Sequence, residues 1–259
     1  MRAVSGACHP GGMTEELGTL GHIAYRRQGG AGPGIIFMGG FNSDMTGSKA
    51  EYLAAWCAGQ GRAFLRFDYS GHGASGGRFE EGSIGQWAAD AERVLEELTQ
   101  GPQILIGSSM GGWISLLLAR RHPARLAGLI GIAAAPDFTE DLMWAQFPPA
   151  VRAQIEREGF WLRPSEYGAP YPITRHLIED GRRHLVLREP LAISAPVRLL
   201  HGQDDADVPW QLSLRVAEHI TGGDVQVALV KQGDHRLSKP GELALLGRTL
   251  GALLGENRG

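Results

Sequence analysis

The feature that most constrains this chain is a serine flanked by glycines, Gly107-Ser108-Ser109-Met110-Gly111. It follows a short apolar run, Gln103 to Ile106, and precedes an apolar segment, Trp113 to Ala119, so the local prediction is strand, sharp turn, helix. G-x-S-x-G alone is a weak pattern in a chain with 38 glycines, but this context lets a strained turn present the serine hydroxyl at the end of a strand. The pattern predicts that Ser109 is a nucleophile. The alternative is a Gly/Ser turn that closes a buried strand.

The segments around this motif alternate between strand-like and helix-like patterns. Apolar runs that predict strands are Ile35 to Met38, Ala63 to Tyr69, Leu126 to Ala134, Val197 to His201 and Val225 to Val230. Helical spacing occurs at Ser48 to Ala58, Ile84 to Leu98, Gln211 to Ile220 and Gly241 to Leu254. This alternation predicts an α/β fold with a mostly parallel sheet and helices on both faces. Thr19 to Arg27 alternates loosely and predicts one antiparallel edge strand before that sheet.

The pattern also divides the chain into three parts. We expect residues 1–18 to be a loose tail, residues 19–136 and 190–259 to form the core, and residues 137–189 to form a small, partly helical cap. The cap segment is rich in aromatic residues among prolines, and it shows no clear strand pattern. Its aromatics could form a small satellite core, an apolar acyl pocket that faces the nucleophile, or both.

Charge and cysteine content exclude several classes of protein. The formal net charge is −3 and the charges are interspersed, so we expect no nucleic-acid partner. Two cysteines are too few for a disulfide framework or a zinc site. Residues 1–12 lack the apolar region of a secretory signal, and no window approaches the roughly 18 apolar residues of a membrane span. We expect a cytoplasmic protein without a membrane segment, either a monomer or a homodimer.

A nucleophilic serine needs a histidine base and a carboxylate that orients the histidine. Asp205 follows the Val197 strand and His235 follows the Val225 strand, in the order that a serine-first hydrolase requires. Because parallel strands bring their carboxyl ends to one edge, Ser109, Asp205 and His235 are predicted to converge. Other acids remain possible.

Asp204 and Asp207 crowd the same loop as Asp205, and Asp137 follows the Leu126 strand. We choose Asp205 among them. Loop aspartates more commonly serve as solvated turns or helix caps. His201 precedes the acid, so it is expected to be a structural histidine rather than the base.

Acyl transfer also requires donors for the developing oxyanion. The backbone N–H of Met110, the residue after the nucleophile, is one predicted donor. The second is predicted to be the N–H of Phe41, which follows Gly39 and Gly40 after the Ile35 strand. The alternative for this loop is a simple glycine turn with a packed phenylalanine. No metal or organic cofactor is needed for this chemistry.

A second glycine motif, Gly71 to Gly76 (GHGASG), matches G-x-G-x-x-G after a strand. A dinucleotide site would need a helix that opens on these glycines. Here the Glu80-Glu81-Gly82 turn intervenes, so a tight loop braced by Asp68 is the preferred interpretation.

Several runs are more specific than the fold requires: Phe67 to Gly71, Gly101 to Ser109, Gly111 to Trp113, Leu129 to Ala133, Pro196 to Gly202, Val208 to Trp210 and Asp234 to Arg236. Through them the chain resembles the α/β-hydrolase superfamily over about residues 19 to 255. Within it, the chain is similar to the abhydrolase-domain family of palmitoyl-protein thioesterases and acyl-glucuronide esterases. The resemblance implies a serine hydrolase of EC 3.1 type that cleaves carboxylic esters or acyl thioesters with Ser109, Asp205 and His235. We expect a bacterial-type relative of that family.

Two other functions remain open. The same fold and residues could cleave another bond, as in a C–C bond hydrolase or a small-substrate peptidase. A catalytically silent hydrolase-fold binding protein is the alternative outside the enzymes.

Overall fold

The part of the chain that the structure describes, residues 7–8, 14–164 and 170–255 of a computed structural model, forms a large sheet with helices on both faces. Its strands are β1 (Ala7–Cys8), β2 (Thr14–Leu20), β3 (Ile23–Gln28), β4 (Ala31–Met38), β5 (Arg62–Phe67), β6 (Gln103–Ser108), β7 (Leu126–Ile132), β8 (Phe160–Arg163), β9 (Tyr171–Thr174), β10 (Val197–Gly202) and β11 (Val225–Val230). Its helices are α1 (Ser48–Gly59), α2 (Ile84–Leu98), α3 (Met110–Arg121), α4 (Pro149–Glu158), α5 (Arg175–Arg182), α6 (Gln211–His219) and α7 (Pro240–Leu253).

Nine strands form the main sheet in the order β1-β2-β3-β5-β4-β6-β7-β10-β11. From β5 to β11 all neighbours in this order are parallel, whereas β1, β2 and β3 are joined by antiparallel pairing. The parallel strands therefore present their carboxyl ends at one edge, where loops from β4, β6, β10 and β11 meet. The predicted α/β fold with a mostly parallel sheet is confirmed.

Successive side chains of each strand point to opposite faces of the sheet, so the strands contribute to two separate apolar cores. On β6, Ile104 and Ile106 pack in a cluster with Leu53 of α1 and Leu250 of α7. Leu105 points to the opposite face, into a larger cluster that contains side chains of α2, α3 and α6. Because both faces are covered, every residue of β6 is buried. This burial explains why the strand is a continuous apolar run in the sequence.

The prediction of a single edge strand over Thr19 to Arg27 was wrong. Two antiparallel strands, β2 and β3, meet at a tight turn where Gly21 has a φ of 62°. A residue without a Cβ adopts this conformation readily, so the turn reverses the chain within a stretch that looks continuous. Residues 1–6 and 9–13 of the predicted tail lie outside the described residues, and β2 already begins at Thr14.

The segment between β7 and β10 contains short helical turns, α4, a hairpin of β8 and β9, and α5. The sequence showed no clear strand pattern here, whereas the structure has two short strands. Each hairpin strand has only four residues, and β8 keeps Phe160 and Leu162 exposed, so it lacks the pattern of a buried strand. Ile155 and Ile173 are buried in the same cluster as α2 and α3, which joins this segment to the core. Residues 165–169 lie outside the described part.

Among the described residues, no helix combines the length and the apolar character needed to cross a bilayer.

Candidate active site

Ser109 lies in a strained turn between β6 and α3, with φ of 54° and ψ of −117°. Close backbone packing permits this turn only because glycines flank it. A Cβ on Gly107 would lie 2.2 Å from the carbonyl oxygen of Gly111, and a Cβ on Gly111 would lie 2.1 Å from that of Met38. The Ser109 amide donates to Ile132 O at 2.9 Å. The turn is therefore fixed on both sides and projects the serine from the strand end.

The side chains of Ser109, His235 and Asp205 meet above the carboxyl edge of the sheet. His235 Nε2 lies 3.1 Å from Ser109 Oγ, and His235 Nδ1 lies 2.8 Å from Asp205 Oδ2. The histidine is partly exposed, whereas the Asp205 side chain is fully buried. Each follows a different strand, as the sequence predicted. Since Asp205 accepts from Nδ1–H, Nε2 is left to accept the serine proton.

Asp205 is surrounded by donors. Oδ2 accepts from His235 and from His201 Nε2 at 3.0 Å, and Oδ1 accepts from the amides of Asp207 and Val208 at 2.9 and 2.8 Å. Burial raises the pKa of this carboxyl, but hydrogen bonds from His201 and His235 outweigh it and hold the pKa well below its usual value. Asp205 is therefore ionised at neutral pH.

His201 plays a part that the sequence did not reveal. Its ring is buried, Nε2 faces both Asp205 Oδ2 and Val208 O at 3.0 Å, and Nδ1 lies 2.7 Å from Ser213 Oγ. Two acceptors face Nε2, so the proton is on Nε2 and Nδ1 accepts from the serine hydroxyl. The prediction of a structural histidine fits these contacts. The sequence places His201 at the end of a predicted strand, four residues before Asp205, and this spacing could have predicted the contact between His201 and Asp205.

Asp137, the candidate acid that follows β7, contacts different groups. Asp137 is buried, and its carboxylate accepts from the amides of Val186 and Leu187 at 2.8 and 3.0 Å. Burial raises the pKa of Asp137, with these amide hydrogen bonds acting in the opposite direction. Asp137 therefore fastens the end of the cap segment. Asp234 accepts from Arg236 N and Leu237 N, which shapes the turn that carries His235.

The loop that contains Phe41 passes directly beside the nucleophile. A Cβ on Gly40 would lie 3.4 Å from Ser109 Cβ. Met110 is the first residue of α3, so its amide is one of the helix N–H groups that lack an intrahelical acceptor. The two predicted oxyanion donors thus belong to the loop beside Ser109 and to the start of α3.

The GHGASG stretch is a tight loop and does not open a helix. Asp68 Oδ2 accepts from Ala74 N at 2.8 Å, and Oδ1 accepts from Met45 N at 2.7 Å. Asp68 therefore braces the loop as predicted, and α2 begins only at Ile84. This geometry lacks the helix N-terminus that a dinucleotide pyrophosphate requires.

Two groups in the described residues place three potential metal ligands within 4.8 Å of one another: Asp205, Asp207 and His235, and Glu92, Glu96 and His122. In the first group, Asp205 and His235 are already engaged with each other. In the second, His122 Nε2 already contacts a carboxylate oxygen of Glu92. Nucleophilic attack by a serine that a histidine deprotonates requires no metal ion at either group.

Among the described residues of the cap segment, three aromatic side chains contact partners within that segment. Phe147 and Trp161 pack edge to face at 5.4 Å, and the Trp144 ring lies 4.9 Å from the Arg182 guanidinium. Tyr171 instead packs against Phe41 at 5.8 Å. Phe147 belongs to the larger apolar cluster, and Trp161 packs against that cluster, so this segment extends the main core. Tyr171 connects it to the loop beside Ser109.

A mostly parallel sheet with a serine elbow, and with an acid and a histidine after later strands, is the arrangement of an α/β hydrolase. A family model described as Serine aminopeptidase, S33 matches residues 34–165. Palmitoyl-protein thioesterase ABHD10, mitochondrial, of Mus musculus is 42% identical over 237 residues, which cover 91% of this chain and 80% of the relative.

Two solved structures are similar over nearly their whole length. Alpha/beta hydrolase domain-containing protein 10 from mouse has a TM-score of 0.85 and 39% identity, covering 98% of this chain and 99% of that chain. A protein from Agrobacterium vitis S4 has a TM-score of 0.87 and 38% identity, covering 97% and 99%. The chain therefore belongs to the α/β-hydrolase family, and the resemblance that the sequence predicted is confirmed.

Proposed function

We propose that this protein is a serine hydrolase that cleaves carboxylic esters or acyl thioesters through an acyl-enzyme on Ser109. The observation that carries the proposal is the continuous contact from Ser109 Oγ through His235 to the buried carboxylate of Asp205. Serine is a weak nucleophile unless an adjacent base removes its proton. This contact supplies that base at the strained turn.

The proposed reaction has two steps. His235 Nε2 takes the Ser109 proton while Oγ attacks the acyl carbon, and the resulting imidazolium gives the proton to the leaving group. Water, activated by His235, then hydrolyses the acyl-serine and restores the enzyme. Asp205 keeps the ring oriented and stabilises its charged form. The amides of Met110 and Phe41 are proposed to donate to the oxyanion in both steps, each contributing on the order of 3 kcal/mol.

The substrate class is proposed from the relatives. A relative at 42% identity is named a palmitoyl-protein thioesterase, so we propose acyl thioesters, including long-chain ones, as the preferred substrates. The residues that carry this chemistry need no metal or organic cofactor. The cytoplasmic location remains a prediction, since the name of the mouse relative places that protein in mitochondria. The monomer or homodimer state also remains a prediction.

The test is hydrolysis of matched oxygen esters and thioesters with acyl chains of two to sixteen carbons. Ser109→Ala should lower kcat by about 10⁶-fold, because the nucleophile and its base act as a unit. Ser108→Ala, which changes the neighbouring buried serine of the same motif, is the matched control and should retain most activity.

Serine-dependent turnover that favours long-chain thioesters over the matched oxygen esters supports the proposal in full. Serine-dependent cleavage of small amides in preference to esters would assign the chain to peptidase chemistry, in line with the description of the matching family model. Substantial ester hydrolysis by Ser109→Ala would contradict the proposal.

A further inference from the structure

The loop after β4, residues 39–47, carries Phe41. It is held by side chains at the end of β5. Arg66 donates to Met45 O at 3.0 Å, and Asp68 accepts from Met45 N at 2.7 Å. These contacts hold the far end of the loop. The near end has a contact of its own, in which Asn42 N donates to His72 Nε2 at 3.2 Å. His72 is the histidine of the GHGASG loop, which the proposed mechanism leaves without a function.

The hydrogen bonds of His72 define its tautomer. Nδ1 lies 3.2 Å from the carbonyl oxygen of Ser70, which can only accept, so Nδ1 carries the proton. Nε2 faces an amide N–H, which can only donate, so Nε2 is unprotonated. The ring is 4% exposed. Burial lowers the pKa of His72, while the Ser70 hydrogen bond and the charge of Asp90 act in the opposite direction, so the ring is neutral at pH 7.

Aromatic packing fixes the position of the His72 ring relative to Phe41. His72 lies 5.2 Å from Phe79 and 5.1 Å from Trp87, measured between ring centroids. The same two rings contact Phe41 at 5.0 and 5.8 Å. Phe138 and Tyr171 add two more edge-to-face contacts to Phe41. The side chain of Phe41 and the acceptor atom of His72 are thus held by one cluster.

The backbone of Asn42, which links Phe41 to the contact with His72, is constrained as well. Asn42 has a φ of 55°, a conformation that a residue with a Cβ adopts at a cost unless its surroundings enforce it. The Asn42 N–H belongs to the peptide unit that follows Phe41. Its hydrogen bond therefore fixes ψ of Phe41, while the ring contacts fix its side chain. Together they hold the Cα of Phe41, to which the peptide unit carrying the Phe41 N–H is attached.

We propose that His72 is a positioning residue for the oxyanion site: its unprotonated Nε2 holds the Asn42 amide and so aims the Phe41 N–H at the oxyanion. This inference rests on the proposed function, since Phe41 is a donor only if acyl transfer occurs at Ser109. The contacts of His72 are with Asn42, Ser70 and neighbouring rings, so it is assigned no direct role in the reaction. Its effect is exerted in the transition state, where the donor must be in place before charge develops.

The test compares two amides at position 72. His72→Gln can place an amide oxygen near the position of Nε2, whereas His72→Asn reaches only the position of Nδ1. Both variants lose the ring and its packing, so each is a matched control for the other. We expect His72→Asn to lower kcat at least about tenfold with KM changed less than about twofold, because a misdirected donor weakens transition-state binding. His72→Gln should stay within about threefold of the wild-type kcat.

Equal kcat values for the two variants, whether reduced or unchanged, would overturn the proposal, because packing alone would then explain the residue. If either variant fails to fold, ¹⁵N NMR of the imidazole nitrogens in the wild-type protein provides a test without substitution. We expect His72 to be the Nδ1–H tautomer at pH 7, and an Nε2–H tautomer would overturn the proposal. A wild-type protein without serine-dependent turnover would instead contradict the proposed function, whereas the tautomer reports on the contact independently of turnover.

Discussion

Asp205 shows how a single side chain can be fixed by its surroundings. All four of its hydrogen bonds come from donors that are themselves constrained: two backbone amides of its own loop and two imidazole rings. His201 is one of those rings and is completely buried. A carboxylate with this many donors is ionised and keeps one orientation. The ring of His235 takes its own orientation from that carboxylate.

The depressed pKa of Asp205 makes its contribution to stability depend on pH. The pKa in the folded state lies below the unfolded value of about 3.9. The contribution is therefore complete above that value and is lost as the pH falls through it and below. Asp205→Asn should lower the free energy of unfolding at pH 7 by about 1–3 kcal/mol, because buried donors lose a charged acceptor. The gap to wild type should stay constant from pH 7 to about pH 5 and narrow between about pH 4 and pH 2, below the unfolded pKa.

Thermal unfolding measured across that pH range checks this prediction. Asp204→Asn changes an exposed neighbour in the same loop and should match wild type at every pH. A gap that stays constant or widens on acidification would show that the Asp205 charge does not stabilise the fold.

At the scale of elements, the turn between β6 and α3 depends on backbone packed against backbone. Gly111 lies in the first turn of α3, where a Cβ would meet Met38 O at 2.1 Å and Gly39 O at 2.6 Å. These carbonyls belong to β4 and the loop that leads to Phe41. The glycine therefore sets the distance between the helix that begins at Met110 and the loop that carries the second proposed donor.

Gly111→Ala should reduce both stability and activity. The added methyl must push α3 away from β4, which we expect to cost about 3 kcal/mol of unfolding free energy and to separate the two proposed donors. Gly59→Ala, in open space at the end of α1, is the matched control and should be neutral or stabilise by up to about 1 kcal/mol. Denaturant unfolding and kcat/KM measure both effects. A Gly111→Ala protein as stable and active as Gly59→Ala would contradict this account of the turn.

At the scale of the whole molecule, the sheet brings together residues that are distant in sequence. Ser109, Asp205 and His235 follow β6, β10 and β11, which are separated in the sheet only by β7. Phe41 follows β4, the other neighbour of β6. Two apolar clusters, one on each face, hold this sheet, and the larger cluster continues into the cap. The edge where the parallel strands end therefore carries the candidate site, while the core supplies its rigidity.

The features that could be predicted from the sequence are those that a local residue pattern determines. Continuous apolar runs such as β6 and β10 were recognisable because both faces of the sheet are covered, and Ser109 because its glycines are adjacent in the chain. Contacts formed between distant segments leave no such pattern. The link between His72 and Asn42 requires two loops to meet, and the hairpin of β8 and β9 is too short for periodicity to detect.

In the proposed reaction, Ser109 carries the acyl group during turnover. The most direct measurement mixes the enzyme with a slowly deacylating ester and identifies the acylated residue by mass spectrometry of the intact and digested protein. We expect one acyl group per chain, attached to Ser109, that disappears as the ester is consumed and does not form on Ser109→Ala. Turnover without an acyl group on Ser109, or with one on another residue, would contradict the account.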